Sequence, residues 1–598
     1  MDINEVRNSY RTIIDNEQLK YTDLKKKIFN IGSLRLGIIF AGIVAVYFLW
    51  ENTLWVVSVV LITSVIFGSL LLFHNKLFRR RLYSEIRIRN AENELKALDY
   101  DFSAFDGAPD KMNAEHSFSL DLDLFGERSF FQSINRTVTS FGRDALANTL
   151  LYPFENKNEI LAQQEAIKEL ASKSKLATHF RTVGEMSEAD NLNAKDYEAA
   201  FSQPVVFWKN KLWTTMLYLV PISYILFIVL YIADIIPGNS FIYLWLATLL
   251  ISSAFLKKTN QILSIFDKKT STLDTYSQLF GIIENEKFDS TLLQHIQQQL
   301  NGEASASQAI AELKSHHNNL SLSVTFPVLL LFNPLLLWNI RYASLIEKWM
   351  YTHKDDIGQW FDAIARFDTL VSLAIFAYNH PDYCYPEIAD NFVFDGKDLG
   401  HPLINRDVCV RNDVHIPKKP YFLVITGANM AGKSTYLRTI GINHILACAG
   451  IPVCANYLKF FPGKLVTNLR TADSLADNES YFYAELKRLK MIIDRLQSGE
   501  ELFIILDEIL KGTNSEDKQK GSLALMRQLI ALNGNGVIAT HDLVLGNLEK
   551  EYPEYVKDYR FEADIKDDNL SFSYRIREGI AQNMNASFLM KKMGITGL

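Results

Sequence analysis

The stretch VITGANMAGKST, residues 424–435, sets Gly427, Gly432, Lys433 and Ser434 in the spacing G-x-x-x-x-G-K-[ST]. Residues of these types at this spacing grip phosphate. The glycines let the backbone turn its N–H groups inward at a helix N-terminus, the lysine neutralises β- and γ-phosphate charge, and the hydroxyl takes a place on Mg²⁺. LFIILDE (502–508) ends an apolar run abruptly in two carboxylates, a costly arrangement unless a metal and a water use them. Asp507 is therefore assigned to the Mg²⁺ shell with Ser434, and Glu508 to deprotonating the attacking water. GVIATHD (536–542) carries His541 to the end of a further strand, where it can sense the γ-phosphate. The catalytic set is thus Glu508, Lys433 and His541. In TADSLADNESYFYAELKRLKMIIDRL, residues Phe482, Leu486, Leu489, Ile493 and Leu496 share one helical stripe, so a helix starts near Ser480 with its N–H groups open to a phosphate of the neighbouring subunit.

Chemistry of this kind needs strands that end beside one another. YFLVIT, LFIILDE and GVIAT supply short β-branched runs alternating with helical stretches, and YRFEADIKDDNLSFSYRIREG reads as a hairpin, so residues 401–598 are expected to form an α/β domain. Residues 82–205 open with a solvated helix over 83–99 leaving the membrane and a polar, Asp-rich loop near 100–125, after which 127–205 and 259–400 read as the long helices of an all-α bundle.

Four apolar runs complete the chain. Leu36–Trp50 and Leu54–Phe73 form one pair within residues 31–81, after an N-terminal helix over 1–30; Leu212–Ile232 and Phe241–Leu256 form another within 206–258. Their lengths suit transmembrane hairpins. Lys25, Lys26, Lys27 and Arg35, Lys76 and Arg79–Arg81, Lys209 and Lys211, and Lys257 and Lys258 all flank the open ends, and the two connecting links carry no Lys or Arg. Positive residues stay inside, so both termini and everything between the hairpins are expected in the cytoplasm. FPVLLLFNPLLLW (326–338) is short and holds two prolines, and is expected to be a buried element of the helical domain rather than a span. Asp2 and Glu5 argue against a cleaved leader. The four cysteines show no CxxC pair, which points to reduced, buried thiols. A net charge of −6 excludes a chain-wide basic surface for nucleic acid, and the dense run FRRRLY (78–83) is explained as a membrane flank.

Taken together these residues resemble the MutS family. TGANMAGKST is similar to the family's TGPNMGGKST, ADSLADNESYF to its signature ADDLASGRSTF, LDEILKGTNSED to LDEIGRGTSTYD, and ATHD to ATHY. Upstream, TVTSFGRDALANTLLYPF resembles the start of the family's helical core and FDTLVSLAIFAYN its last core helix. The resemblance implies an α/β P-loop NTPase domain and helical lever. It implies an ATP hydrolase using ATP and Mg²⁺, and a homodimer through the ATPase domain. Nucleotide would be bound by Gly427, Asn429, Gly432, Lys433, Ser434, Thr435 and, across the dimer, Ser480. DNA is the partner the family implies for the arms. The chain departs from the pattern too. No mismatch-reading domain or Phe-x-Glu motif precedes residue 115, Asn478 and Glu479 replace the signature's Gly and Arg, no C-terminal helix-turn-helix follows Gly594, and a hairpin interrupts the helical region. The expectation is a nucleotide-dependent switch held in the bacterial inner membrane, with the lipid bilayer as a partner. The other classes are an ABC-like transporter, against which no LSGGQ-type signature is present, and an ATP-binding scaffold, against which Lys433, Asp507 and Glu508 all stand.

Overall fold

A computed structural model describes residues 2–187, 205–266, 270–302, 305–469, 481–510, 513–566 and 569–581. The described chain is mostly helical up to residue 379 and of mixed α/β character beyond it.

Two helices of 46 residues, α1 (Ile3–Phe48) and α2 (Thr53–Leu98), run antiparallel through a turn of four residues. At 1.5 Å per residue each is about 69 Å long. Each has two characters. The outer halves carry Phe40, Ile43, Leu61 and Val65 exposed, whereas the inner halves bury Val6 and Tyr10 against Ala91 and Leu98. Glu17, at 3% exposure, accepts from Ser84, Arg87 and Lys20 and ties the two inner halves together. By length and composition α1, α2 and α4 (Lys211–Ile232) could each cross a membrane. Beside α4 runs α5 (Ser240–Ala254), which bends by 45° into Leu256–Ser264.

The helical core is organised around α6 (Asp356–Asn379), where 17 of 24 residues are buried, so that its apolar surface runs almost all round. Gly142 lies so close to α6 that a Cβ there would meet the Asp368 carboxylate at 2.2 Å. Asp368 accepts from the Val138 and Thr139 N–H groups and the Thr139 hydroxyl, pinning the start of helix Ser140–Leu151 to α6. The two upstream segments quoted above are thus direct neighbours. At the far end of α6, Asn379 donates to Glu94 of α2 and accepts from Tyr10 of α1. Glu94, 2% exposed, also pairs with Arg136 and with Arg181 of α3, the helix Ser174–Gly184. This buried cluster joins the stem of the first hairpin to the helix that leads into the C-terminal domain.

Beyond α6 two main sheets and a two-stranded hairpin form among the described residues. The smaller has the order β1-β5-β2-β3, from Glu387–Ile388, Tyr457–Phe460, Phe394–Leu399 and Asn412–Ile416. The larger has the order β12-β9-β4-β8-β7-β6, from Arg577–Glu578, Val556–Phe561, Tyr421–Gly427, Asn535–Thr540, Leu502–Asp507 and Lys464–Asn468, with all but β12 parallel. Its central strands β4, β8 and β7 are buried on both faces. Leu423, Ile425, Phe503 and Ile505 meet α7 (Lys433–Cys448); Phe422, Val424, Ile504 and Leu506 meet α8 (Tyr481–Gln497) and α9 (Ser515–Ala531). Strands β10 (Ala563–Lys566) and β11 (Asn569–Phe572) make the expected hairpin.

Several expectations need correction. Residues 387–399, expected within the helical segment, form β1 and β2, whose partners lie up to 72 residues downstream and leave no local trace. The helix over 83–99 is not solvated all round, because Ile86, Ala91, Glu94 and Leu98 are buried, and the polar loop near 100–125 also sends Phe118, Leu122, Leu124 and Phe125 into the main core. Residues 326–338 are buried only in part: Asn333, Pro334 and Leu337 (φ +46°) are buried, whereas Phe326 is 75% exposed and Leu331 56%, and the segment lies against α4 and α5. All four cysteines are free, with Cys448 and Cys454 buried and Cys384 and Cys409 partly so.

Candidate functional site

Three neighbouring parallel strands, β4, β8 and β7, end at one edge of the larger sheet, and the polar residues predicted for chemistry converge there. Gly427 closes β4 at φ +142°; a Cβ at this position would lie 2.3 Å from the Phe561 carbonyl oxygen, so only glycine lets β4 pair with β9 to its last residue. After the short 3-10 turn Asn429–Ala431, Gly432 (φ +106°) opens α7. Lys433 follows at 1% exposure. Its ammonium donates to the carbonyls of Gly427 at 2.6 Å and Ala428 at 3.1 Å and stands 3.5 Å from His541 Nδ1. Burial of such a cation is tolerable because the carbonyls face it.

From the next residue, Ser434 Oγ donates to Asp507 Oδ2 at 2.6 Å, while Asp507 Oδ1 is buried without a hydrogen-bond partner. A hydroxyl beside a carboxylate with one oxygen to spare is a hard-cation donor pair. No group of three or more His, Cys, Asp or Glu at metal-binding distance occurs among the described residues. The pair itself fits Mg²⁺, which is held by one or two protein oxygens together with phosphate and water. Glu508 adopts φ +52°, an unusual conformation for a non-glycine residue, and this turns its carboxylate back onto His541 Nε2 at 2.5 Å. His541 thus stands between the two, with Nε2 on the Glu508 carboxylate and Nδ1 towards the Lys433 ammonium.

Gly427, Gly432, Lys433, Ser434, Asp507, Glu508 and His541 are therefore together. Thr435 faces outward one residue further along α7, at the mouth of a cavity of about 310 Å³. Asn429 lies in the loop itself. Ser480, with Asn478 and Glu479, lies outside the described residues.

Two features escaped the reading of the sequence. The cavity beside Gly432 and Thr435 is walled by His401, Ile404, Val408, Tyr436 and Tyr574. Burial, with Arg438 nearby, pushes His401 down to about 4, so it is neutral at pH 7 and can exchange hydrogen bonds with a flat polar ring. GHPLI at 400–404 was the available signal, but the walls come from three segments that only the fold assembles. The second feature is Glu485 of α8, 2% exposed, which accepts from the Leu510 N–H and so fastens α8 to the turn after Glu508.

Residues 423–594 match the family description MutS domain V, and residues 115–374 match MutS domain III. MutS protein homolog 4 of Homo sapiens is 29% identical over 246 residues, covering 40% of this chain and 26% of its own. The DNA mismatch repair protein MutS of Thermotoga sp. (strain RQ2) is 29% identical over 260 residues, 42% of this chain and 32% of its own. That of Carboxydothermus hydrogenoformans is 28% identical over 330 residues, 54% and 38% respectively. The match thus spans about a quarter to two fifths of these relatives' lengths. With both domain descriptions matched in order, and with the strand ends carrying the motif residues in one site, the chain belongs to the MutS family.

Proposed function

We propose that this protein is a membrane-anchored ATPase, a nucleotide-dependent dimeric switch of the bacterial inner membrane. The observation that carries the reading is the meeting of Lys433, Ser434, Asp507, Glu508 and His541 at the C-terminal edge of β4, β7 and β8, where ligands bind in open α/β sheets. Residues 427–434 form the phosphate-binding loop, and the cavity lined by His401 and Tyr436 takes the base. Lys433 leaves its two carbonyl partners for the β- and γ-phosphates. Ser434 and Asp507 would hold Mg²⁺, which when bound neutralises charge on the phosphates. Glu508 accepts a proton from the attacking water, and His541 fixes the carboxylate's direction by donating to it. Ser480 of a second copy would complete the site, making closure and dimerisation one event.

The bilayer reading rests on the apolar outer halves of α1 and α2, on α4 and α5, and on the basic residues at their open ends. Both termini and residues 401–598, read as the ATPase domain, would face the cytoplasm. DNA enters as a partner through the relatives' names, with the helical arms as its carriers.

Purified protein in detergent should hydrolyse ATP only with Mg²⁺, and Lys433→Ala should abolish this. Homoduplex, mismatched and branched DNA, added to the same assay with a parallel mobility measurement, then test the partner. Mg²⁺-independent turnover, or full activity in Lys433→Ala, would remove the site assignment.

A further inference from the structure

From residue 315 to residue 340 the chain carries no Asp, Glu, Lys or Arg, a gap bounded by Lys314 and Arg341. Within it, Val328–Phe332 winds as a π-helical turn, Asn333–Leu336 continues as one short helical turn, and Leu337 breaks the direction. The following helix, Trp338–Thr352, leaves at 69° to the first piece. Polarity here is reversed relative to a water-facing surface. Phe326, Leu331, Phe332 and Leu335 are exposed, whereas Asn333 and Asn339 are 0% exposed. Contiguous apolar side chains do not face water without a reason, and this segment is continuous with the exposed apolar faces of α4 and α5.

Hydrogen bonds fix its depth. Asn339 and Ser252 bond in both directions, at 3.0 and 3.1 Å, and Trp245 Nε1 donates to the Leu330 carbonyl at 2.9 Å. Both Ser252 and Trp245 lie on α5, which ends at Ala254 beside Lys257 and Lys258. At 1.5 Å per residue, Ser252 is about 3 Å and Trp245 about 14 Å from that basic end. Leu330 therefore sits roughly 14 Å deeper than the basic end, close to half of an approximately 30 Å hydrocarbon layer. The chain comes back on the side it entered, because Trp338 Nε1 donates to the Asn319 carbonyl at 2.7 Å, joining the two ends of the segment. Irregular backbone at such a depth must find its hydrogen bonds within the protein. Here the Ser323 carbonyl receives Asn333 Nδ2, the Leu330 carbonyl receives Trp245, and the Leu329 N–H donates to Thr325.

We propose that residues 324–337 are a re-entrant membrane element, which dips into the cytoplasmic leaflet beside the second hairpin and takes lipid acyl chains as its partner. The proposal rests on the membrane reading above. It gives the lever a second hold on the bilayer, since the helix leaving the element carries Glu347, whose carboxylate accepts from the N–H groups of Val206, Phe207 and Trp208 at the entry to α4.

The test uses the full chain reconstituted in phosphatidylcholine and phosphatidylglycerol vesicles doped with a phosphatidylcholine bearing a diazirine on its acyl chain. After photolysis, adducts are mapped by peptide mass spectrometry. The expected result is adducts on Leu331, Phe332 and Leu335 at yields comparable with those on Leu226 and Leu250. Adducts on both hairpins with none between 324 and 337 would overturn the re-entrant element and leave the membrane reading standing. Absence of adducts from the hairpins as well would overturn both.

Discussion

Replacing Glu94 with Gln removes one negative charge from the point where the first hairpin meets the helical core. Two guanidiniums depend on that charge. Arg136 reaches it through Nε at 2.6 Å and through its NH2 group at 3.2 Å, Arg181 pairs with the same Oε1, and the side chains of the two arginines are only 3% and 7% exposed. Burial on its own would raise the Glu94 carboxyl, but Arg136 and Arg181 outweigh it and hold the group down at about 2 instead of 4.5. At about 1.36 kcal/mol per pH unit this displacement corresponds to ~3 kcal/mol. The figure agrees with the roughly 3–5 kcal/mol lost when one partner of a buried ion pair is removed. Because the folded carboxyl binds its proton more weakly than the unfolded one, the stabilisation is complete above pH 4.5 and disappears as pH falls towards 2. Glu94→Gln should therefore cost ~3 kcal/mol or more at pH 7, measured by denaturant unfolding in detergent with intrinsic fluorescence. The gap between the two proteins should narrow steadily below pH 4.5. Equal stability at pH 7, or a gap that does not change with pH, would refute the assignment of Glu94 as the counter-charge of the two arginines.

Two further outcomes follow from the site and from the hairpins. Glu508→Gln should retain ATP binding and lose roughly 10²- to 10⁴-fold in turnover while accumulating an ATP-bound dimer, seen by size-exclusion chromatography; wild-type turnover would remove Glu508 from its role as base. Cysteines placed at Asn52 and Asn239 should be labelled by an impermeant reagent from outside intact spheroplasts and one at Gln298 should not, since the basic residues flank the opposite ends; external labelling at Gln298 would invert the topology.

Local pattern accounts for what the sequence revealed. Gly427, Gly432 and Lys433 declare themselves because the loop needs those residues at fixed spacing, and β4, β7 and β8 because strands buried on both faces read as unbroken apolar runs. Helix α8 was legible as a helix, but one side of its stripe was misjudged. Leu486 is 39% exposed while Ile492 is 1%, and the position that completes the buried face is Glu485, a charged residue that no hydrophobic pattern would place inside. Its burial becomes intelligible only once the Leu510 N–H is seen to meet it. The same holds for β1, β2 and β5, whose short strands pair across long stretches of chain, and for Glu94, whose partners lie on two other helices and a loop. Residues 326–338 failed for a different reason. Length and proline content set spanning against burial there, whereas the segment leaves Phe326 and Leu331 exposed beside α4 and α5.

The segment around Ser117 has a consequence for the order in which the protein is made. Its carbonyl accepts from the Thr467 N–H, Asp121 accepts from the Thr467 hydroxyl and the Leu469 N–H, and Arg488 of α8 donates to the His116 carbonyl. An early strap thus closes the outer edge of β6, which would otherwise be a bare strand able to pair with another chain. Strap and strand are 350 residues apart in sequence. At translation rates of roughly 5–20 residues per second the strap waits about 20–70 s for its partner. In that interval the first hairpin, on the membrane reading, is already seated in lipid and the second follows it. On that reading the bilayer would hold the two ends of a half-built helical core near one another while the remaining strands emerge. The membrane would then be a folding scaffold as well as an address, and a C-terminal domain made by itself would present β6 unguarded.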